Sequence, residues 1–162
     1  MTEMSAPDVS TPIVVRSVPV DVVRPLRHRV LRPGWPEESV HSDHDDADDT
    51  VHLAAFAGDD VIGVVTMFPQ PLADDPRAAE RFRWMAVDET WRGSGAGQAL
   101  MRHAASLAGE SGFQLMWAHG RDTALGFYVK LGFRVVGEGY LDAVTRLRHH
   151  VVVIETAALI ET

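Results

Sequence analysis

Apolar positions along this chain come in short runs whose spacing switches between strand-like and helix-like. Residues 13–18 form a β-branched run and predict a first strand. Residues 20–31 repeat at helical spacing but are interrupted by Pro25, which predicts a short or late-starting helix; Arg32-Pro33-Gly34 then stops it. Residues 35–50 are acidic and loop-like. Runs at 51–57 and 61–68 flank Gly58-Asp59-Asp60, the pattern of a hairpin with its turn in the middle. Residues 69–76 are rich in breakers. Beyond them the pattern predicts a strand over 82–87, a helix over 95–108, a strand over 113–118 and a helix over 123–131. Strands at 133–137 and 149–155 close the chain, separated by a loop around Tyr140 to Arg148. The sum is an α+β fold, a sheet of about six or seven strands flanked by helices.

One junction carries chemistry. Between the strand at 82–87 and the helix that follows lies Arg92-Gly93-Ser94-Gly95-Ala96-Gly97. A glycine-rich turn that opens a helix aims several backbone N–H groups at one spot, and the helix dipole adds to their pull on an anion. Arg92 adds a fixed positive charge suited to a pyrophosphate. Two common phosphate motifs are excluded by spacing. Gln98 stands where a dinucleotide fingerprint needs its third glycine, and the chain's only lysine, Lys130, lies far from any P-loop position. A tight turn that holds no ligand is the plain alternative.

The remaining pattern, Arg92-x-x-Gly95-x-Gly97, resembles the acyl-CoA pyrophosphate loop of the GNAT superfamily of N-acetyltransferases, R/Q-x-x-G-x-G/A. Downstream, Ala124, Phe127, Tyr128, Gly132 and Phe133 resemble that superfamily's second signature, A-x-x-F-Y-x-x-x-G-F. Ala124, Phe127, Tyr128 and Leu131 share a helical face, and Gly132 is placed to end that helix left-handed. The order strand, loop, helix, strand, tyrosine helix, strand is also the family's. The resemblance covers roughly residues 80–155, in the family's order of elements.

The resemblance implies a mixed, mostly antiparallel GNAT sheet and acetyl-CoA as cosubstrate, with no metal. It implies that Arg92, Gly93, Ser94, Gly95, Ala96, Gly97 and Gln98 hold the pyrophosphate, chiefly through backbone N–H groups. The backbone of Met85, Ala86 and Val87 then pairs with the pantetheine arm, with Ala124, Phe127 and Tyr128 completing the cofactor-binding set. Tyr128 is the implied general acid, since a phenol within hydrogen-bond reach can protonate a departing thiolate; its alternative is a core aromatic. Some family members use a glutamate on the strand before the loop as base; here residues 82–87 hold no carboxylate, and that strand offers Arg81 and Arg83, with Glu80 and Asp88 outside it. The base is left among water, His119, His149 and His150, with His119 taken as the catalytic choice.

Composition narrows the rest. The chain has 162 residues, 46% hydrophobic and 23% charged, within the range of a single globular domain. We expect a flexible segment over 1–12 and one acyltransferase domain over 13–162. Net charge is −8 with pI about 5.4, and basic residues are scattered, which argues against nucleic acid. There is no long apolar run, so no membrane partner is expected. The absence of cysteine excludes disulfides and a cysteine acyl-enzyme; with no signal pattern, the expected location is cytoplasmic. The near-absence of lysine suggests a GC-rich bacterial genome. His41-Ser42-Asp43-His44-Asp45-Asp46 fits no metal-loop spacing and reads as a solvated acidic loop near the acceptor side. Trp35 and Trp84 are further options for lining that side.

The expected activity is acetyl transfer from acetyl-CoA to an amine, small-molecule or peptide, by direct attack in a ternary complex. The alternatives are a non-catalytic acyl-CoA-binding sensor and an enzyme of this fold that moves another acyl group. Oligomeric state is open, with a homodimer as the option that symmetry favours.

Overall fold

The computed structural model describes residues 11–160. The expected flexible segment over 1–12 lies almost wholly outside them. Strands are β1 (Ile13–Ser17), β2 (Val51–Ala57), β3 (Asp60–Pro69), β4 (Ala79–Val87), β5 (Leu115–Arg121), β6 (Arg134–Leu141) and β7 (Arg148–Glu155). Helices are α1 (Val20–Leu31), α2 (Ala96–Glu110), α3 (Leu125–Leu131) and α4 (Thr156–Ile160). The strands form a seven-stranded sheet in the order β1-β2-β3-β4-β5-β7-β6. It is mostly antiparallel, with a parallel pairing between β4 and β5. No helix among the described residues is long and apolar enough to cross a membrane.

The chain divides into two compact units. Among the described residues, the first comprises those up to Met67 together with Trp84–His103; the second comprises Phe68–Arg83 and those from Ala104 onward. In the first unit, Val23 and Leu26 of α1 pack with Ala54, Val64 and Ala86 from β2, β3 and β4. Helix α1 runs unbroken through Pro25, against the expectation of a late start. A proline in a helix costs about 3 kcal/mol or more. Burying Val23 and Leu26 returns about 1.5–3 kcal/mol each, and the carbonyl that loses its partner, that of Asp21, is in the first turn. Pro25 itself is exposed.

The same unit corrects the acidic loop. Most of that loop is exposed, but Asp45 is buried and grips the fully buried Arg27 through two hydrogen bonds of 2.8 and 2.9 Å. Arg27 also donates to Val40 O (2.9 Å) and Thr66 Oγ1 (2.6 Å). His52 Nδ1 lies 2.8 Å from Thr66 Oγ1 and its Nε2 lies 3.0 Å from Asp45 O. Asp45 is a tether for α1, because burying the Arg27 charge demands a counter-ion.

In the second unit β5 lies between β4 and β7. Its pairing with β4 covers only Ala79–Arg81 against Leu115–Trp117, and β4 runs on to Val87. Helix α3 ends in a Schellman motif: Phe133 N donates to Tyr128 O and Gly132 N to Val129 O, both at 3.0 Å, with Gly132 at φ +108°. Strand β6 is longer than expected. Its pairing with β7 shifts between Val136 and Tyr140, so the Gly137-Glu138-Gly139 segment is a bulge inside the strand and not its end. Strand β4 likewise starts three residues before the expected Phe82. The short α4, not expected, is anchored by Thr156, whose hydroxyl donates to Phe113 O at 2.8 Å.

Candidate functional site

The glycine loop belongs to the first unit. Asp88 ends β4, accepting from Thr90 N (3.0 Å) and Thr90 Oγ1 (2.9 Å), and so starts the 3₁₀ turn Glu89–Trp91. Arg29 neutralises Asp88 through a 2.6 Å ion pair. Ser94 N donates to Trp91 O at 3.2 Å, and Ser94 Oγ accepts from Ala96 N at 3.3 Å. Gly93 and Gly95 sit at φ +80° and +93°, which L side chains rarely adopt. No described residue beyond the chain neighbours comes within 4 Å of the Cβ that either glycine lacks, so the loop faces open space. Gly95 occupies the N-cap of α2, its carbonyl accepting from Ala99 N at 2.9 Å. A glycine cap offers no side-chain acceptor to the Gly97 and Gln98 N–H groups, which stay available to a ligand. Arg92 through Gly95 are exposed, and Ala96 and Gly97 are buried.

Upstream, Trp84 takes φ +60° in the middle of β4, an unfavourable conformation for a bulky residue. Burial holds it there, with the Arg27 and Arg32 guanidinium carbons 5.1 and 5.4 Å from its ring centroid. Trp35 is exposed and lies under Arg32 as well, at 5.0 Å. Past this kink Met85 and Val87 are half-buried, and Ala86 is in the core. Backbone kept locally strained is a common property of functional segments.

Tyr128 belongs to the second unit. Its ring is buried on α3 against Phe82 (5.8 Å between centroids), Phe127 (5.2 Å) and Phe133 (5.3 Å). On β5, Gly120 makes room for it: a Cβ there would lie 3.1 Å from Tyr128 Cε2. Burial pushes the phenol well above its ordinary range, only partly opposed by the charge of Arg121. Tyr128 therefore keeps its proton throughout the neutral range. Phe127 and Ala124 are half-buried beside it, Ala124 ending the turn Asp122–Ala124.

His119 and Tyr128 are not brought together. Alternation along β5 puts Trp117 and His119 on one face and Gly120, with the Tyr128 ring, on the other. His119 Nδ1 is hydrogen-bonded to the Tyr140 hydroxyl, and its ring meets Trp117 edge-on at 5.4 Å. Tyr140 in turn stacks on His149 at 5.8 Å. Partial burial, followed by the charges of Arg81, His149 and Arg83, lowers the His119 pKa; Asp142 opposes them. His119 is thus neutral at pH 7 and able to take a proton. His149 Nδ1 lies 2.9 Å from Leu147 O. His150 is opposite Gly120 and bonded to Asp122 at 2.6 Å, on the Tyr128 face. Tyr140 and Trp117 were missed because a Gly-Glu-Gly bulge imitates a loop and because strand register, not spacing, assembles this cluster. Among the described residues no group of three His, Asp or Glu side chains is placed to hold a metal ion.

The sequence profile of the GNAT acetyltransferase family matches residues 20–133. The chain belongs to that family. It is 33% identical over 144 residues to an uncharacterized N-acetyltransferase of Bacillus subtilis (strain 168), YitI, covering 88% of this chain and 95% of the relative. Among solved structures it resembles Escherichia coli ElaA, with TM-score 0.70 and 19% identity over 89% of this chain and 100% of that one. It also resembles Arabidopsis thaliana NAA60 in complex with acetyl-CoA, with TM-score 0.67 and 18% identity over 89% and 98% of the two chains. At these identities the two structures establish the shared fold, while the profile and the bacterial relative establish the family.

Proposed function

We propose that this GNAT protein is an N-acetyltransferase that uses acetyl-CoA and acetylates an amine by direct attack. The observation that carries the assignment is the loop at Arg92–Gly97: two left-handed glycines, open space above them and a helix N-cap without a side chain. That cradle fits a pyrophosphate, with Arg92 at its mouth and N–H donors from Gly93, Gly95, Gly97 and Gln98, those of Ser94 and Ala96 being engaged within the loop. Acetyl-CoA, when bound, supplies an activated acetyl thioester. Met85, Ala86 and Val87 offer backbone groups to its pantetheine arm; Ala124 and Phe127 are the cofactor contacts proposed for the second unit. Tyr128 holds its proton until the sulfur departs. His119 takes the proton of the amine; with Nδ1–H donating to Tyr140 Oη, its Nε2 keeps the lone pair a base requires. Acid and base then act from opposite faces of β5, which requires the thioester carbon to lie beyond Trp117, where the pairing of β5 with β4 ends.

A binding-only acyl-CoA module is the second reading, favoured by one feature: the one carboxylate of β4, Glu80, expected outside the strand, lies within it but is buried, and the strand otherwise offers Arg81 and Arg83. Release of free CoA thiol, followed with a panel of primary amines, separates the two. We expect amine-dependent thiol release. Acetyl-CoA binding with no release for any amine would favour the binding module.

A further inference from the structure

On the His119 face of the second unit lies an arginine with no acid partner. Arg24, Arg27, Arg29, Arg77 and Arg148 each lie beside an aspartate or glutamate. Arg81 makes a 3.4 Å contact to Gln70 Oε1 and, among the described residues, no ion pair. Its guanidinium carbon lies 5.3 Å from the Trp117 ring centroid and 5.8 Å from that of Phe68. Its Nε is buried with no hydrogen-bond partner. The ionisable neighbours that act on it are Arg83 and Tyr140, neither of them a carboxylate. Desolvated cations without a counter-ion are unfavourable unless a ligand supplies one.

Resting on the acyltransferase assignment above, we propose that the acceptor is a short amino carboxylate whose carboxylate is bound by Arg81 while its amine faces His119. A guanidinium in contact with aromatic rings still presents its N–H edge, and that planar fork matches a carboxylate. Register puts the two groups on one face: Arg81 is opposite Trp117, and His119 is two residues further along the same face of β5. Two residues of strand separate Cα atoms by about 7 Å, a spacing that an arginine and a histidine side chain can close onto one short molecule carrying both an amine and a carboxylate. The aromatic rings of Trp117 and Tyr140 wall the face on which it would lie.

The test uses the full chain and its Arg81→Gln and Arg81→Lys variants, with melting curves confirming that each folds. Amino acids are compared as acceptors with their own amides and decarboxylated amines. In parallel, N-acetyl amino acids and N-acetyl amides are titrated calorimetrically, with and without CoA. We expect the carboxylate-bearing member of each pair to be favoured roughly tenfold to a hundredfold in kcat/KM. Arg81→Gln should erase that preference through KM and leave acetyl-CoA affinity unchanged, and Arg81→Lys should restore part of it. Equal use of amides and decarboxylated amines, a preference for polyamines, or a preference that survives Arg81→Gln would overturn the proposal. If wild-type protein fails to bind acetyl-CoA, the cofactor assignment falls by itself. The titrations without CoA still decide whether Arg81 selects carboxylates.

Discussion

The glycine loop of the first unit and the histidine–tyrosine–arginine cluster of the second are built in opposite ways. The loop is backbone: its chemistry lies in consecutive residues, in two positive φ angles and in a cap that lacks a side chain. The cluster is side chains: Arg81, Trp117, His119, Tyr140 and His149 come from four strands and meet only through register. A backbone site is written contiguously and is sensitive chiefly at the glycines whose left-handed φ it requires. A register-built site is scattered along the chain and is sensitive to each member and to whatever positions it.

The contrast can be tested hardest at Tyr128. Replacing it with Phe keeps the packing with Phe82 and Phe133 and removes the acid; kcat should fall by about a hundredfold or more. Calorimetry should show acetyl-CoA affinity little changed, and an unchanged kcat across pH would remove Tyr128 from the acid role. A smaller effect is expected at His119. Its pKa is lowered from 6.5, so wild-type kcat/KM should lose activity only below that value as the ring gains a proton. His119→Gln should flatten this acidic limb and lower the plateau by roughly tenfold. An intact limb in the variant would assign it to another group. The smallest effect is expected at Gly120→Ala, which presses on the Tyr128 ring from β5. Displacing the ring by a few tenths of an ångström should lower kcat by several-fold, on the order of the sensitivity known for misplaced catalytic groups. If acetyl-CoA affinity fell instead of kcat, Gly120 would be acting on the cofactor and not through the tyrosine.

Legibility in the sequence followed the same division. The order of strands and helices, the Arg92–Gly97 loop and the Tyr128 helix with its Gly132 stop were readable, because periodicity and turn chemistry are local. Pro25 misled because burial of Val23 and Leu26 outweighs a lost helix bond. Asp45 misled because its neighbours in sequence are solvated, while its own partner, Arg27, comes from α1. Tyr140 was hidden by a bulge. Arg81 was visible as a missing glutamate, but its aromatic contacts and lack of an acid partner depend on residues that register alone brings near.

The central claim is that the loop binds acetyl-CoA through its backbone, and calorimetric titration of acetyl-CoA into wild-type protein and Gly95→Glu tests it most directly. No described residue beyond the chain neighbours comes within 4 Å of the missing Cβ, so the variant has room to fold. The substitution also places a side chain at φ +93° and a carboxylate where the phosphates would lie. The account predicts clear binding to the wild type and a loss of about a hundredfold or more in the variant. Equal affinity for both proteins, with the variant folded, would contradict it.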